Sequence, residues 1–170
     1  DFPDLTLGEL MVKGRVTGPL GNVHSYLRDS PPVRTALDPS LSNITINGGE
    51  ADVGVDLYLP IKDLPSRRVN VDIDVADGNV NYGALTFPLT NLQGQLRVRD
   101  TDVYADGLTA RLVEQPAWID VAPYEDLGVR ANIRSETTGD ALATGIELPL
   151  HDYLSGRTEL RGLLQFPRPG

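Results

Sequence analysis

The sequence contains no cysteine, one tryptophan and two histidines. Without cysteine there is no disulfide framework and no thiolate metal site. Aromatic residues make up 6% of the chain, so a core has to be assembled from Val, Leu and Ile. No stretch approaches the roughly 20 apolar residues of a helical membrane span, and no secretory signal is visible. Positive charge is also scarce: 15 Lys and Arg against 24 Asp and Glu leave a net charge of −9. That balance argues against nucleic acid, whose phosphates demand clustered cations. It equally disfavours docking on an anionic membrane surface through a basic patch. The chain opens on Asp1 rather than Met and closes on Phe166-Pro167-Arg168-Pro169-Gly170. It is therefore expected to be a segment of a longer protein that carries its targeting signals elsewhere.

Catalytic signatures are missing as well. No nucleophile elbow, phosphate-binding glycine loop or dinucleotide fingerprint occurs. His24 falls in an expected helix and His151 follows Pro149; neither has a serine placed in sequence to complete a triad. Asp72, Asp74 and Asp77-Gly78, and again Asp100, Asp102 and Asp106-Gly107, loosely resemble calcium loops. An EF-hand alternates its oxygens, bends at a glycine and ends on a bidentate glutamate. Here the third aspartate falls one place late in the first set and two in the second, and the glutamate is missing. With so many acids, chance carboxylate pairs are expected, so paired-acid glycoside chemistry does not stand out. The expectation is a non-enzyme without metal or cofactor.

What the chain does have is alternation. Val53, Val55, Leu57 and Leu59 interleave with Gly54, Asp56 and Tyr58. Val69, Val71, Ile73 and Val75 interleave with Asn70, Asp72 and Asp74. The same pattern runs through Leu92, Gly94, Leu96 and Val98, and through Leu127, Val129, Ala131 and Ile133. Shorter versions occur at Leu10 to Val16, Ile44 to Ile46, Ala117 to Val121 and Leu160 to Phe166. Successive strand residues point to opposite faces, so each segment has one apolar and one wet side. This is the pattern of an antiparallel sheet covered on one face. Seventeen glycines and thirteen prolines supply punctuation. Asn47-Gly48-Gly49, Asp77-Gly78, Asp100-Thr101-Asp102 and Asp106-Gly107 read as turns between strands. Two short helices are expected, Leu20 to Arg28 and Gly139 to Ile146. Trp118 runs out of phase with Ala117, Ile119 and Val121, as the edge of a core, an interface residue or a sugar platform would.

A weak internal repeat is visible. A strand near Val16 leads to the first helix and to a strand ending Leu59-Pro60. A strand near Ile133 leads to the second helix and to a strand ending Phe166-Pro167. Fixed-period self-similarity points to stacked architectures. The chain is therefore read as a piece of a repeat array, with possible units at about 10–125 and 126–170, the second incomplete. Two short helices do not roof eight or more strands, and soluble proteins rarely leave so large an apolar face bare. The face either folds on itself or receives a lipid chain or an adjacent repeat.

Several stretches then carry a resemblance. These are Leu57-Tyr58-Leu59-Pro60, Leu85-Thr86-Phe87-Pro88-Leu89-Thr90-Asn91-Leu92-Gln93-Gly94, Tyr104-Ala105-Asp106-Gly107-Leu108-Thr109-Ala110-Arg111-Leu112 and Gln115-Pro116-Ala117. Their order resembles the periplasmic region of the YhdP proteins, within the AsmA-like group that includes TamB. The resemblance implies a periplasmic β-groove in a Gram-negative envelope, held by an inner-membrane anchor in the parent chain and involved in phospholipid movement. It brings no catalytic residues.

The expected fold is therefore mainly β: a twisted, mostly antiparallel sheet forming a half-pipe groove with two short helices at its rim. The expected function is a lipid-conducting segment that shields acyl chains between the inner and outer membranes. The groove lining would be Val55, Leu57, Leu59, Val71, Ile73, Val75, Leu96, Val98, Ile119 and Val121, with Asp72, Asp74, Gln95 and Arg97 facing water. Expected partners are phospholipid acyl chains, adjacent repeats and envelope proteins. A scaffolding module that pairs through sheet edges and a carbohydrate-binding sandwich are the alternatives.

Overall fold

The computed structural model describes residues 9–29, 43–60, 66–83, 88–100, 102–124, 128–139 and 156–166. Strand β1 (Glu9–Pro19) runs directly into helix α1 (Leu20–Asp29), and β2 (Ile44–Pro60) follows. The chain then continues through β3 (Arg68–Tyr82), β4 (Leu89–Arg99), β5 (Asp102–Leu112), β6 (Gln115–Pro123), β7 (Val129–Thr138) and β8 (Arg157–Phe166). All eight strands form one sheet in sequence order, and every neighbouring pair is antiparallel. The expected fold class is borne out in this respect: the protein is mainly β, and the sheet stays open with β1 and β8 at its edges. The expected helix at Leu20 to Arg28 is α1. The expected helix at Gly139 to Ile146 lies outside the described residues after Gly139, and so does His151.

Strands two apart in a flat sheet lie about 10 Å from each other. Yet Cα atoms of β5 and β7 come within 8 Å despite the intervening β6. The sheet is therefore curled here, as right-handed strand twist favours.

Three expected turns lie inside long strands. Asn47-Gly48-Gly49 is within β2, Asp77-Gly78 within β3 and Asp106-Gly107 within β5; Asp100-Thr101-Asp102 does join two strands, β4 and β5. As a result Ile44 to Ile46 and Val53 to Leu59 are one strand. A strand over residues 102–112, absent from the alternating segments, takes the vacated place. The cause is a seam of β-bulges at one level of the sheet. The register shifts between Gly48 and Glu50 on β2, Val75 and Gly78 on β3, Gln93 and Leu96 on β4, and Ala105 and Leu108 on β5. Each bulge inserts residues that have no partner and so resets which side chains point inward. On β3 the buried phase changes from Val71, Ile73 and Val75 to Gly78; on β5 it changes from Ala105 to Leu108, Ala110 and Leu112. A glycine at a break in alternation looks like a turn in sequence. Here it keeps a long strand's apolar residues on one face.

Gly94 and Gly49 show the backbone demand. They adopt φ of 128° and 110°, where a side chain is strained. A Cβ on Gly49 would stand 2.6 Å from the Gly78 Cα. The seam is also tied by side chains. The Gln93 amide donates to Asp77 at 3.3 Å and to Asn91 at 3.1 Å, both residues of positive φ. The backbone N–H of Gly107 donates to Asp120 at 2.9 Å.

Candidate functional site

The register carries the apolar residues across the whole sheet. Val16 faces Val53, which faces Ile73, then Leu96, Ala105, Val121, Ala131 and Leu164. One row further, Gly14 meets Val55, Val71, Val98 and Val103. All ten residues expected to line a groove are on this face. Cross-strand partners share a face, and a slip of one residue would have sent a strand's set to the other side.

Burial along the face is graded. Val71, Ile73, Val75 and Ile119 are 5–7% exposed and belong to the protein's core. Val55, Leu57, Leu59, Leu96, Val98 and Val121 are half-buried. On β1, Leu10, Val12 and Val16 are 43–65% exposed. Helix α1, which follows directly on β1, packs mainly against β2. Leu20 and Val23, one turn apart, join the core cluster; Leu20 comes within 3.3 Å of where a Gly78 Cβ would stand. The face is thus closed near α1 and opens toward the β1 edge and the β4–β5 turn.

The reverse face is largely polar and cross-linked, with Met11, Trp118 and Leu163 exposed on it. Arg15 donates to Asp52 at 2.7 Å, Arg99 to Asp72 at 2.6 Å, Gln95 to Asp74 at 3.0 Å and Arg134 to Asp120 at 3.0 Å. Lys13 stands 3.0 Å from Asp56. The Arg15 hydrogen bond holds the Asp52 carboxyl below its ordinary range, and the Arg161 hydrogen bond does the same for Glu159. Asp72, Asp74 and Asp77, considered above as a calcium loop, are spread over a strand and a bulge and engage Arg99, Gln95 and Gln93 respectively. Among the described residues no group of three or more His, Cys, Asp or Glu is placed to hold a metal. No helix among them is long and apolar enough to cross a membrane. His24 sits on α1, half-buried.

Trp118 is on the polar face, between Thr109 and Arg134, not at the edge of the core. Sequence reasoning missed the clamp of Asp120 on Gly107. Asp120 is simply a polar-phase residue of β6, and only the register shows that it meets a bulge. It also missed the opposition of Glu136 and Glu159 across β7 and β8.

The sequence model described as "YhdP protein" matches residues 1–170 of the chain. The chain is 24% identical over 188 aligned residues to the intermembrane phospholipid transporter YhdP of Escherichia coli (strain K12). That alignment covers 96% of this chain and 14% of the relative, so the chain spans about a seventh of that protein's length. No solved structure matches it.

Proposed function

The chain belongs to the YhdP family, and from that premise we propose that it is a segment of an envelope protein that moves phospholipids, without being an enzyme. The observation that carries this reading is the apolar surface continuous over eight strands, backed by a largely polar one. A face of that kind shields hydrocarbon. Each buried methylene contributes about 0.8 kcal/mol, and successive rows offer equivalent positions, so an acyl chain gains affinity without being fixed at one place. The groove lining proposed from sequence has its most accessible part at Val55, Leu57, Leu59, Leu96, Val98 and Val121, continued by Leu10, Val12 and Val16. Val71, Ile73, Val75 and Ile119 form the floor beneath it.

The segment is proposed to work in the periplasm as part of a longer chain anchored in the inner membrane. Adjoining repeats of that chain would take up the outer edges of β1 and β8. Among the described residues each edge strand pairs on one side only, and unpaired strand edges template further pairing. The β1–α1–β2 succession and the spacing from β7 to β8 suit the repeat units read from sequence.

Photocrosslinking in the full-length parent tests the reading. A benzophenone side chain at Leu57, Val98 or Val121 should capture phospholipid, and one at Gln95 or Arg97 should not. Equal capture from both faces, or none from the apolar face, overturns it.

A further inference from the structure

We propose that the polar face carries a glycan-binding site centred on Trp118. This does not rest on the lipid reading, because the site lies on the opposite side of the sheet. Trp118 is 39% exposed in a trough whose other lining side chains are charged, hydroxyl or amide except Pro116. The guanidinium of its cross-strand neighbour Arg134 donates to Asp120, 3.0 Å away. Two adjoining depressions, of about 280 and 610 Å³, share Trp118, Glu136 and Glu159 and form one shallow trough from β6 to β8; the larger adds Thr138 and Arg157.

The charges in this trough are oddly placed for a purely structural surface. Glu136 and Glu159 stand directly opposite each other on β7 and β8, an arrangement that weakens a ladder. Arg161 holds Glu159 through two hydrogen bonds, at 2.8 and 3.0 Å. Glu136 has no hydrogen-bond or ion-pair partner among the described residues and lines the trough as a free acceptor. Arg134, Arg157 and Arg161 balance Asp120, Glu136 and Glu159 in number, so the field favours neither a polycation nor a polyanion. A neutral, hydroxyl-rich ligand fits this set. A pyranose offers a flat C–H face to an aromatic ring, and its hydroxyls donate to carboxylates and accept from guanidinium groups. The trough crosses two strand spacings, about 10 Å, and is open along its length, which suits a chain of sugars better than a single one.

In the 170-residue chain Trp118 is the sole tryptophan, so its fluorescence reports stacking directly. Titration with chitohexaose, cellohexaose and maltohexaose should give a saturable emission change with at least one of them, and hexalysine should give none. Calorimetry on the longer parent protein should show that Trp118→Ala weakens binding of that hexasaccharide by about tenfold. Trp118→Phe should restore part of the affinity, and Tyr26→Ala, on the distant α1, should change nothing. Circular dichroism checks the fold; should Trp118→Ala not fold, Glu136→Lys, which removes the free acceptor, gives the same comparison. Failure of all three sugars, hexalysine binding at least as tightly, or a folded Trp118→Ala or Glu136→Lys that binds like the wild type would overturn the proposal.

Discussion

Gly94→Ala and Gly14→Ala add the same methyl to the same face of the sheet, and they should have opposite effects. Gly94 pairs with Val75 in the bulge seam and has φ of 128°. Placing an L-residue in such a conformation costs about 1–2 kcal/mol. The new Cβ would also stand 2.8 Å from Cδ2 and 3.3 Å from Cα of Leu108. Leu108 is 3% exposed and has no solvent to swing into, so overpacking adds about 1–3 kcal/mol. The sum, about 2–5 kcal/mol, is a large share of the roughly 5–15 kcal/mol that holds a domain together. At Gly14 nothing lies within 4 Å of the added atom and φ is ordinary. There the methyl restricts the unfolded chain and should stabilise by about 0.5 kcal/mol. Urea unfolding followed by Trp118 fluorescence separates the two. With a slope of about 2 kcal/mol/M, Gly94→Ala should lower the midpoint by about 1–2.5 M, and Gly14→Ala should leave it unchanged or slightly raised. If the two variants unfold at similar urea concentrations, the bulge seam is not a fixed part of the fold.

The β5–β6 turn is built from Val113 and Glu114, with φ of 50° and 61°. Glu114→Gly should therefore raise stability by about 0.5–1 kcal/mol in thermal melts, since the exposed Arg111 pair that it removes is worth little. Asp120→Ala releases both the Gly107 amide and Arg134, and should cost about 1 kcal/mol and speed hydrogen exchange at Gly107 more than elsewhere in β5. The Asp52 carboxyl sits below its ordinary range through Arg15, so its contribution is complete above about pH 3.9 and is lost as pH falls through the lowered value. Exchange at β1 amides, corrected for intrinsic rates, should accelerate in that acid window, and Asp52→Asn should abolish the pH dependence.

The one-sided sheet was legible in the sequence because alternation is a direct record of which face each strand buries. The runs through Val71 to Val75 and Val53 to Leu59 each name their face without reference to any neighbour. Pairing between distant strands leaves no such record. Nothing local says that Asp120 meets the bulge at Gly107, or that Glu136 stands against Glu159. Strand β5 escaped notice for a third reason: its alternation breaks at Asp106-Gly107, and two of its inward positions, Ala105 and Ala110, are small.

Two of the stretches that carried the family resemblance meet in the bulge seam, and one of them contains the misread turn Asp106-Gly107. Asn91-Leu92-Gln93-Gly94 and Ala105-Asp106-Gly107-Leu108 lie against one another in the seam, with Gly94 so close to Leu108 that a Cβ would collide with it. Apolar strand positions accept Val, Ile or Leu with modest cost, so they identify a sheet but not a family. A residue that must supply positive φ, close backbone approach or a clamp on a bulge has few substitutes. A long strand can keep one greasy face over eleven or more residues, as β2 to β5 do, while its backbone bends, provided that a bulge resets its phase. The seam is thus what lets a curled sheet present an unbroken apolar surface.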